Sequence, residues 1–370
     1  MENTPLENLK IALIGHTTDE IKALVVEKTG APAYRGAQIA EWLYRRILPE
    51  QGGGALATFA AMTELPLALR AQLADHFTIN PITESNAQSD SRDGTVKVVT
   101  ALHDGPHVEA VLMPDTNRVS TCLSCQAGCP MACVFCATGT QGLGRNLTAG
   151  EIVGQFLALQ ARSPRRITHT VYMGMGEPML NYDNVLKSIR ILTGEIGLSM
   201  RHITLSTVGI LPGIERLAAE KLQLTLAVSL HAPNDELRAR IVPVHRTYTI
   251  KRLLDTCKAY FETTGRRVTF EYILLSGVND NPKEAKELAA LLTGLPCAVN
   301  LIPYNPTTVT ESFDRPEPNR VKDFRIILES KGITVTQRKE RGQEIAAACG
   351  QLVTEKYKPS AMAKTLAVVP

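Results

Sequence analysis

The sequence predicts an α/β protein: a partial, open (β/α)6 barrel preceded by an N-terminal helical domain and a small β-meander. Three observations carry this. From about residue 118 onward, short β-type runs alternate with helical patterns, the signature of a parallel sheet covered by helices. Six such repeats are too few for an eight-fold barrel, so the barrel stays open and a last strand extends its edge. Polar and unusual residues follow the apolar strand cores one after another, and in parallel β/α folds the carboxyl ends of strands line the active site.

Residues 1–80 read as a helical accessory domain with RNA-binding potential, its helices running from Asp19 to Gly30, Gly36 to Ile47 and Pro66 to His76. Ile39, Trp42, Leu43 and Ile47 share one face, which places the single tryptophan in the core. Lys22, Lys28, Arg35, Arg45, Arg46 and Arg70 could meet phosphates, although a solvated helix face accounts for them too. Ile11 to Gly15 lacks the glycine pattern of a dinucleotide fold. Residues 81–115 form the linking meander, three short β runs broken by the hairpin signals Asp93-Gly94 and Asp104-Gly105. Its last strand carries Glu109 between apolar neighbours. Facing inward, that carboxylate needs a partner or a task; alternation equally allows it to face outward.

Residues 116–340 form the barrel. Strands are expected near 118–124, 167–173, 202–207, 223–230, 267–275, 297–302 and 334–338, with helices near 148–162, 183–197, 210–220, 248–263, 282–293 and 317–331. Thr249 caps the fourth helix and Asn281-Pro282 opens the fifth. Residues 341–370 are a C-terminal segment holding Cys349, with a flexible tail expected from Lys356.

The chain has 370 residues, 44% hydrophobic and 21% charged, with a formal charge of +3. That balance permits RNA binding without demanding it. The N-terminus lacks a signal-peptide pattern and no apolar run is long enough to span a bilayer, so a cytoplasmic protein with no membrane partner is expected. Five of the eight cysteines fall between Cys122 and Cys136, which argues for metal or redox chemistry over a disulfide framework. Zinc sites pair two C-x2-C halves across a spacer, and bacterial ferredoxins use four thiolates; Cys129-x3-Cys133-x2-Cys136 fits neither. Three thiolates holding a [4Fe–4S] cube leave one iron free, and an open metal position is what catalysis needs.

Several strand-end residues suit a ligand. Gly174 and Gly176 would let it approach the backbone, and Glu177 could accept from an amine, although a glycine turn alone explains them. His231, Ser206 and Asn305 read as turn residues or as cofactor contacts. Cys257 and Cys297 read as buried and inert, whereas Cys349 sits among small residues that permit close approach to a ligand. Cys125 repeats the first spacing of the motif without completing it.

Six stretches together resemble the RlmN/Cfr family of radical S-adenosylmethionine methyltransferases, and the likeness runs from about residue 20 to 355. They are Ser124-Cys-Gln-Ala-Gly-Cys-Pro-Met-Ala-Cys-Val-Phe-Cys136, Gly144-Arg-Asn-Leu-Thr148, Met173-Gly-Met-Gly-Glu-Pro178, Ser229-Leu-His-Ala-Pro-Asn-Asp-Glu236, Asn300-Leu-Ile-Pro-Tyr-Asn-Pro306 and Ala347-Ala-Cys-Gly-Gln-Leu352. The resemblance implies a radical SAM barrel with one [4Fe–4S] cluster held by Cys129, Cys133 and Cys136. It makes Phe135, Gly176, Glu177, Ser206, Ser229, Leu230, His231 and Asn305 contacts of S-adenosylmethionine. It makes Cys349 the cysteine that is S-methylated, Cys122 its resolving partner and Glu109 a proton acceptor. Cys125 departs from the family, where a serine-like residue is expected.

The implied chemistry answers a specific difficulty. An adenine C–H carbon is not a nucleophile, so it cannot attack a methyl sulfonium. Two S-adenosylmethionine molecules would be used per turnover: one methylates Cys349, and the other yields a 5′-deoxyadenosyl radical that takes hydrogen from the S-methyl group. The methylene radical adds to adenine, a base takes the proton, and Cys122 closes a disulfide with Cys349 to free the product. Both thiols must then reach one point, so the segment carrying Cys349 is expected to fold over the barrel mouth. The adenine must leave its stack to enter. Implied partners are 23S rRNA, with tRNA a second candidate, and an electron donor such as flavodoxin or ferredoxin, for a monomeric enzyme. Arg145, Arg165, Arg166, Arg338, Lys339 and Arg341 add phosphate candidates. Adenine C2 is favoured over C8. The rivals are a radical SAM enzyme with another substrate and a zinc-stabilised RNA-binding protein.

Overall fold

In the computed structural model, which describes residues 10–53, 57–243, 247–307 and 313–353, chain order and sheet order follow each other closely. A short strand β1 (Ile11–Ala12) precedes helices α1 (Thr18–Thr29), α2 (Ala33–Tyr44) and α3 (Leu67–His76), and pairs in parallel with β2 (Phe77–Thr78). Helix α1 begins where the Thr17 hydroxyl and the Glu20 carboxylate form a capping box, and it ends at Gly30 in the left-handed region. Gly36 lets α1 and α2 cross closely: a Cβ there would stand 2.5 Å from the Lys22 Cα. Ile39, Leu43 and Ile47 are buried as expected. Trp42 is a correction. It is half-buried, its indole N–H donating to Glu64 and its ring lying under the Arg46 guanidinium, an arrangement that needs the protein surface.

The meander strands β3 (Ile82–Ser89), β4 (Val96–Leu102) and β5 (His107–Pro114) are antiparallel neighbours. They do not stand apart as a separate sheet. Strand β5 pairs with β6 (Val119–Cys122), the first barrel strand, so the meander continues the central sheet. After β6 come an unforeseen hairpin, β7 (Gln126–Cys129) with β8 (Gly142–Asn146), then α4 (Ala149–Ala161), β9 (His169–Tyr172), α5 (Tyr182–Gly194), β10 (Ile203–Thr207), α6 (Leu211–Ala219) and β11 (Thr225–Ser229). A seven-residue helix α7 (Asp235–Ile241), also unforeseen, leads to α8 (Ile250–Thr264), β12 (Val268–Leu274), α9 (Pro282–Leu292), β13 (Cys297–Pro303), α10 (Pro318–Glu329) and β14 (Thr334–Gln337).

The ten-stranded sheet runs β14-β13-β12-β11-β10-β9-β6-β5-β4-β3, parallel from β14 to β6. Among the described residues β14 and β3 are its edges, so the barrel is open. Thr249 caps α8 and Asn281-Pro282 opens α9, as the sequence suggests. Helix α4 is buried along its whole length from Ala149 to Gln160, because the sheet covers one side and the N-terminal segment another; Gly150 packs against Ile14 and Gly15. Cys257 is buried, while Cys297, expected buried, is half-buried at the start of β13. Among the described residues no helix is long and apolar enough to cross a membrane. The tail from Lys356 lies outside the described residues.

Candidate active site

The cysteine loop hangs from the β7–β8 hairpin. Gly128 has φ of +77°, and a Cβ there would sit 2.0 Å from the Gly142 carbonyl oxygen, so only glycine lets the two strands close. Ala132 also adopts positive φ, a strained turn between Cys129 and Cys133. Cys129, Cys133, Cys136 and Phe135 line one wall of a cavity at the carboxyl ends of the strands. Gly176, Glu177, Ser206, Ser229 and His231, from the ends of β9, β10 and β11, line the facing walls.

Glu177 and His231 are each held by a network of their own. The Glu177 oxygens accept from Met179 N at 2.9 Å and Val208 N at 2.8 Å, and its own N–H donates to Gln126 Oε1 at 2.8 Å. Burial pushes its carboxyl up to about 7 against the pull of those N–H groups, so a bound amine would restore its charge. A Cβ on Gly176 would meet the Gln126 Cβ at 2.6 Å, which keeps this strand end pressed onto β7. His231 Nδ1 accepts from Ile273 N at 3.0 Å, leaving Nε2–H as the ring's donor. Burial lowers its pKa to about 3, so the ring stays neutral. Its φ of +60° is unusual, and Asn279 Nδ2, donating to the His231 carbonyl at 2.8 Å, helps to hold it. The Phe135 ring meets it edge-on at 4.9 Å.

Arg238 clamps these strand ends from behind. Fully buried, it donates to the carbonyls of Leu230 (3.1 Å), Val208 (2.7 Å) and Ser229 (3.1 Å), and burial lowers its pKa to about 10. Replacing it by methionine should leave three carbonyls unpaired. A loss of roughly 3 kcal/mol is expected, read as a lower urea midpoint.

A second cavity adjoins the first, and Cys349 lines both. Cys122, Asn305, Met173 and Arg338 share the second with it. All eight cysteines are free thiols here. Burial pushes the Cys122 thiol up to about 12 and raises that of Cys349, while Arg338 opposes both shifts. The Cys349 segment crosses the barrel mouth on hydrogen bonds to several elements. Ala137 N donates to Gly350 O (2.8 Å), Thr138 Oγ1 to Leu352 O (2.6 Å), Asn305 Nδ2 to Cys349 O (3.3 Å) and Val353 N to Glu109 Oε2 (2.9 Å).

Glu109 faces inward: it is buried and paired with Lys97 at 3.1 Å, behind the Cys349 segment and outside both cavity linings. Leu230 does not line the cavity; its side chain is core, and its backbone is bound to Glu271 and Arg238. Asn305 faces the second cavity, with Oδ1 buried and without a hydrogen bond among the described residues. Cys125 is buried away from both linings.

Sequence reasoning missed Glu271, Lys97 and the clamp at Arg238. Glu271 is buried at the boundary of the first cavity and bonded to Asn300; a carboxylate inside the run Val268 to Leu274 was the available signal. The phosphate candidates fare differently. Arg145 is tied to Asp104 and Glu151, Arg165 to the carbonyls of Asp115 and Thr116, and Arg166 to Glu50 and the Ile196 carbonyl. Those guanidinium groups are engaged within the protein, and Arg338 points to Met173 Sδ at 3.0 Å.

The donor set suits an iron–sulfur cluster. Among the described residues no three His, Cys, Asp or Glu side chains gather as ligands of a single ion would. A cluster asks for a wider triangle, because each thiolate binds its own iron. The glycine-lined strand end at Gly176 suits a polar ligand beside it, and the orphaned Asn305 Oδ1 offers an acceptor in the adjoining cavity.

Comparison with known proteins agrees. The model of the Radical SAM superfamily matches residues 123–289. A protein of Thermosynechococcus vestitus named "Probable dual-specificity RNA methyltransferase RlmN" is 47% identical over 342 residues, 92% of this chain and 98% of its own. One of the same name from Symbiobacterium thermophilum is 47% identical over 344 residues, 92% of this chain and 90% of its own. The crystal structure of a radical SAM methyltransferase from Sphaerobacter thermophilus superposes with a TM-score of 0.87 at 46% identity, covering 92% of this chain and 99% of that one.

Proposed function

This chain belongs to the RlmN family of radical S-adenosylmethionine RNA methyltransferases, and from that premise we propose that it methylates C2 of an adenine in 23S rRNA, and in tRNA, through S-methylated Cys349. The family implies a [4Fe–4S] cluster and S-adenosylmethionine as cofactors. When bound, these supply a methyl group, one electron and a hydrogen-abstracting radical.

Cys129, Cys133 and Cys136 would hold one cluster per chain. Glu177 and the Gly176 backbone suit the amine of S-adenosylmethionine, while Ser206, Ser229, the His231 Nε2–H, Asn305, the Leu230 backbone and the Phe135 ring would orient the rest. The observation that carries the reading is the position of Cys349: one cavity joins it to the three-cysteine loop, another to Cys122. Its sulfur can thus serve first as methyl carrier and then as link to the base. Cys122 breaks that link by forming a transient disulfide: the S–CH2 bond breaks with its electron pair on carbon, which takes a proton to become the methyl group. Glu109, reached when the Cys349 segment in front of it shifts, takes the proton from the adenine carbon. Two S-adenosylmethionine molecules are consumed per turnover; a flavodoxin or ferredoxin supplies the electron; the working enzyme is a cytoplasmic monomer.

The test is anaerobic reconstitution to about four irons per chain, incubation with 23S rRNA fragments and tRNA, and mass spectrometry of the released nucleosides. 2-Methyladenosine is expected in both RNAs. 8-Methyladenosine would overturn the choice of carbon, and no methyladenosine from fully loaded enzyme would overturn the function.

A further inference from the structure

Strand β4 alternates from Val98 to Leu102, and Lys97, just before, breaks the pattern. Val98, Thr100 and Leu102 are buried on one face, whereas Val99 and Ala101 on the other are only half-buried. Lys97 belongs to that second face and is nevertheless buried. The register sets Lys97 opposite Val111 and Val99 opposite Glu109, so Lys97 and Glu109 are diagonal neighbours on one face. What covers them is the C-terminal segment, whose Gly342 packs onto Thr95.

The contacts of this pair bracket Cys349. Lys97 Nζ lies 3.1 Å from Glu109 Oε1 and donates to the Ala346 carbonyl at 3.4 Å, three residues before Cys349. Glu109 Oε2 accepts from Val353 N at 2.9 Å, four residues after it. Two opposite charges removed from water are costly unless paired, and this pair's polar contacts lead to the segment that carries the methylated sulfur.

We infer that Lys97 is the positioning residue of the reaction: it keeps Glu109 an ionised proton acceptor and ties that acceptor to the two ends of the Cys349 segment. The inference deepens the proposed function and rests on Glu109 being the acceptor. In the step concerned, the adenine C–H bond breaks, its proton passes to a Glu109 oxygen and the electron pair stays on the ring. Burial alone raises the Glu109 pKa, with the Lys97 charge and the Val353 N–H opposing. Lys97 on β4 supplies the facing charge; the C-terminal segment supplies a neutral N–H.

The sign of the effect follows. Glu109 must be ionised to act, so removing the ammonium raises the pH at which it becomes competent. The test compares reconstituted wild type, K97R, K97Q and E109Q in single-turnover methylation across pH. In K97Q, which keeps a donor for the Ala346 carbonyl but no charge, the acidic limb should move up by about one pH unit or more, with the rate recovering at high pH. K97R should keep the wild-type limb. A uniformly lower K97Q rate on an unmoved limb would mean a structural role and overturn the inference. E109Q turning over like wild type would overturn the acceptor reading itself, a distinguishable failure. Should K97Q not fold, K97Q/E109Q, which buries no lone charge, is compared with E109Q: equal rates support the inference, and a further tenfold loss overturns it.

Discussion

Replacing Cys349 by alanine is expected to abolish RNA methylation while the protein stays folded and loaded with iron. The sulfur lies on the boundary of two cavities, and no other thiol among the described residues lines both. Cys122, its neighbour in the second cavity, is buried at the β6 end, where Leu123 N bonds to β9, and does not line the cavity of the three-cysteine loop. The fold has little at stake. Cys349 is a small half-buried side chain, its segment is held by backbone carbonyls and N–H groups, and the substitution should cost within about 1 kcal/mol. Two measurements check this: methyladenosine in the RNA, expected to vanish, and the intact mass of the protein, expected to lack the methyl carried by wild type. Full turnover by the alanine variant would end the methylcysteine mechanism and favour a radical SAM enzyme of another kind.

The barrel was legible because its signals are local. The strands from β9 to β13 carry short apolar stretches followed by turn residues, and each intervening long helix carries its own period. The β7–β8 hairpin was hidden, since Gln126 to Cys129 shows no alternation and its partner is thirteen or more residues away across the cysteine loop. Helix α7 is too short for periodicity to register. In the site, the three-thiol loop and the strand-end residues could be nominated from motif and position. Which of them face which cavity could not: Asn305 lines the Cys122–Cys349 cavity, Leu230 contributes backbone only, and Arg145 spends its charge on Asp104 and Glu151. Lys97 was invisible for a related reason. A charged residue in a strand declares nothing until the segment that covers it, here residues 342–353 for Lys97, is folded into place.

Replacing Cys133 by alanine should remove the cluster and with it all methylation. The thiol is buried at the first cavity, and burial holds it well above the ordinary cysteine range when no metal is bound. Iron binding therefore has to displace a proton, and three thiolates acting together make that favourable. With one removed, two ligands remain for a cube that needs three. After anaerobic reconstitution, iron is expected to fall from about four per chain to below about one, with loss of the brown colour. Two controls separate ligation from packing and from register. Cys257→Ala deletes a thiol buried away from the cavity and should keep iron and activity. Cys125→Ser tests the alternative spacing that starts at Cys125; because that side chain lines neither cavity, it should also keep both. If Cys133→Ala retained its iron, or Cys125→Ser lost it, the ligand set would have to be reassigned, and the loop geometry around the strained Ala132 would need another purpose.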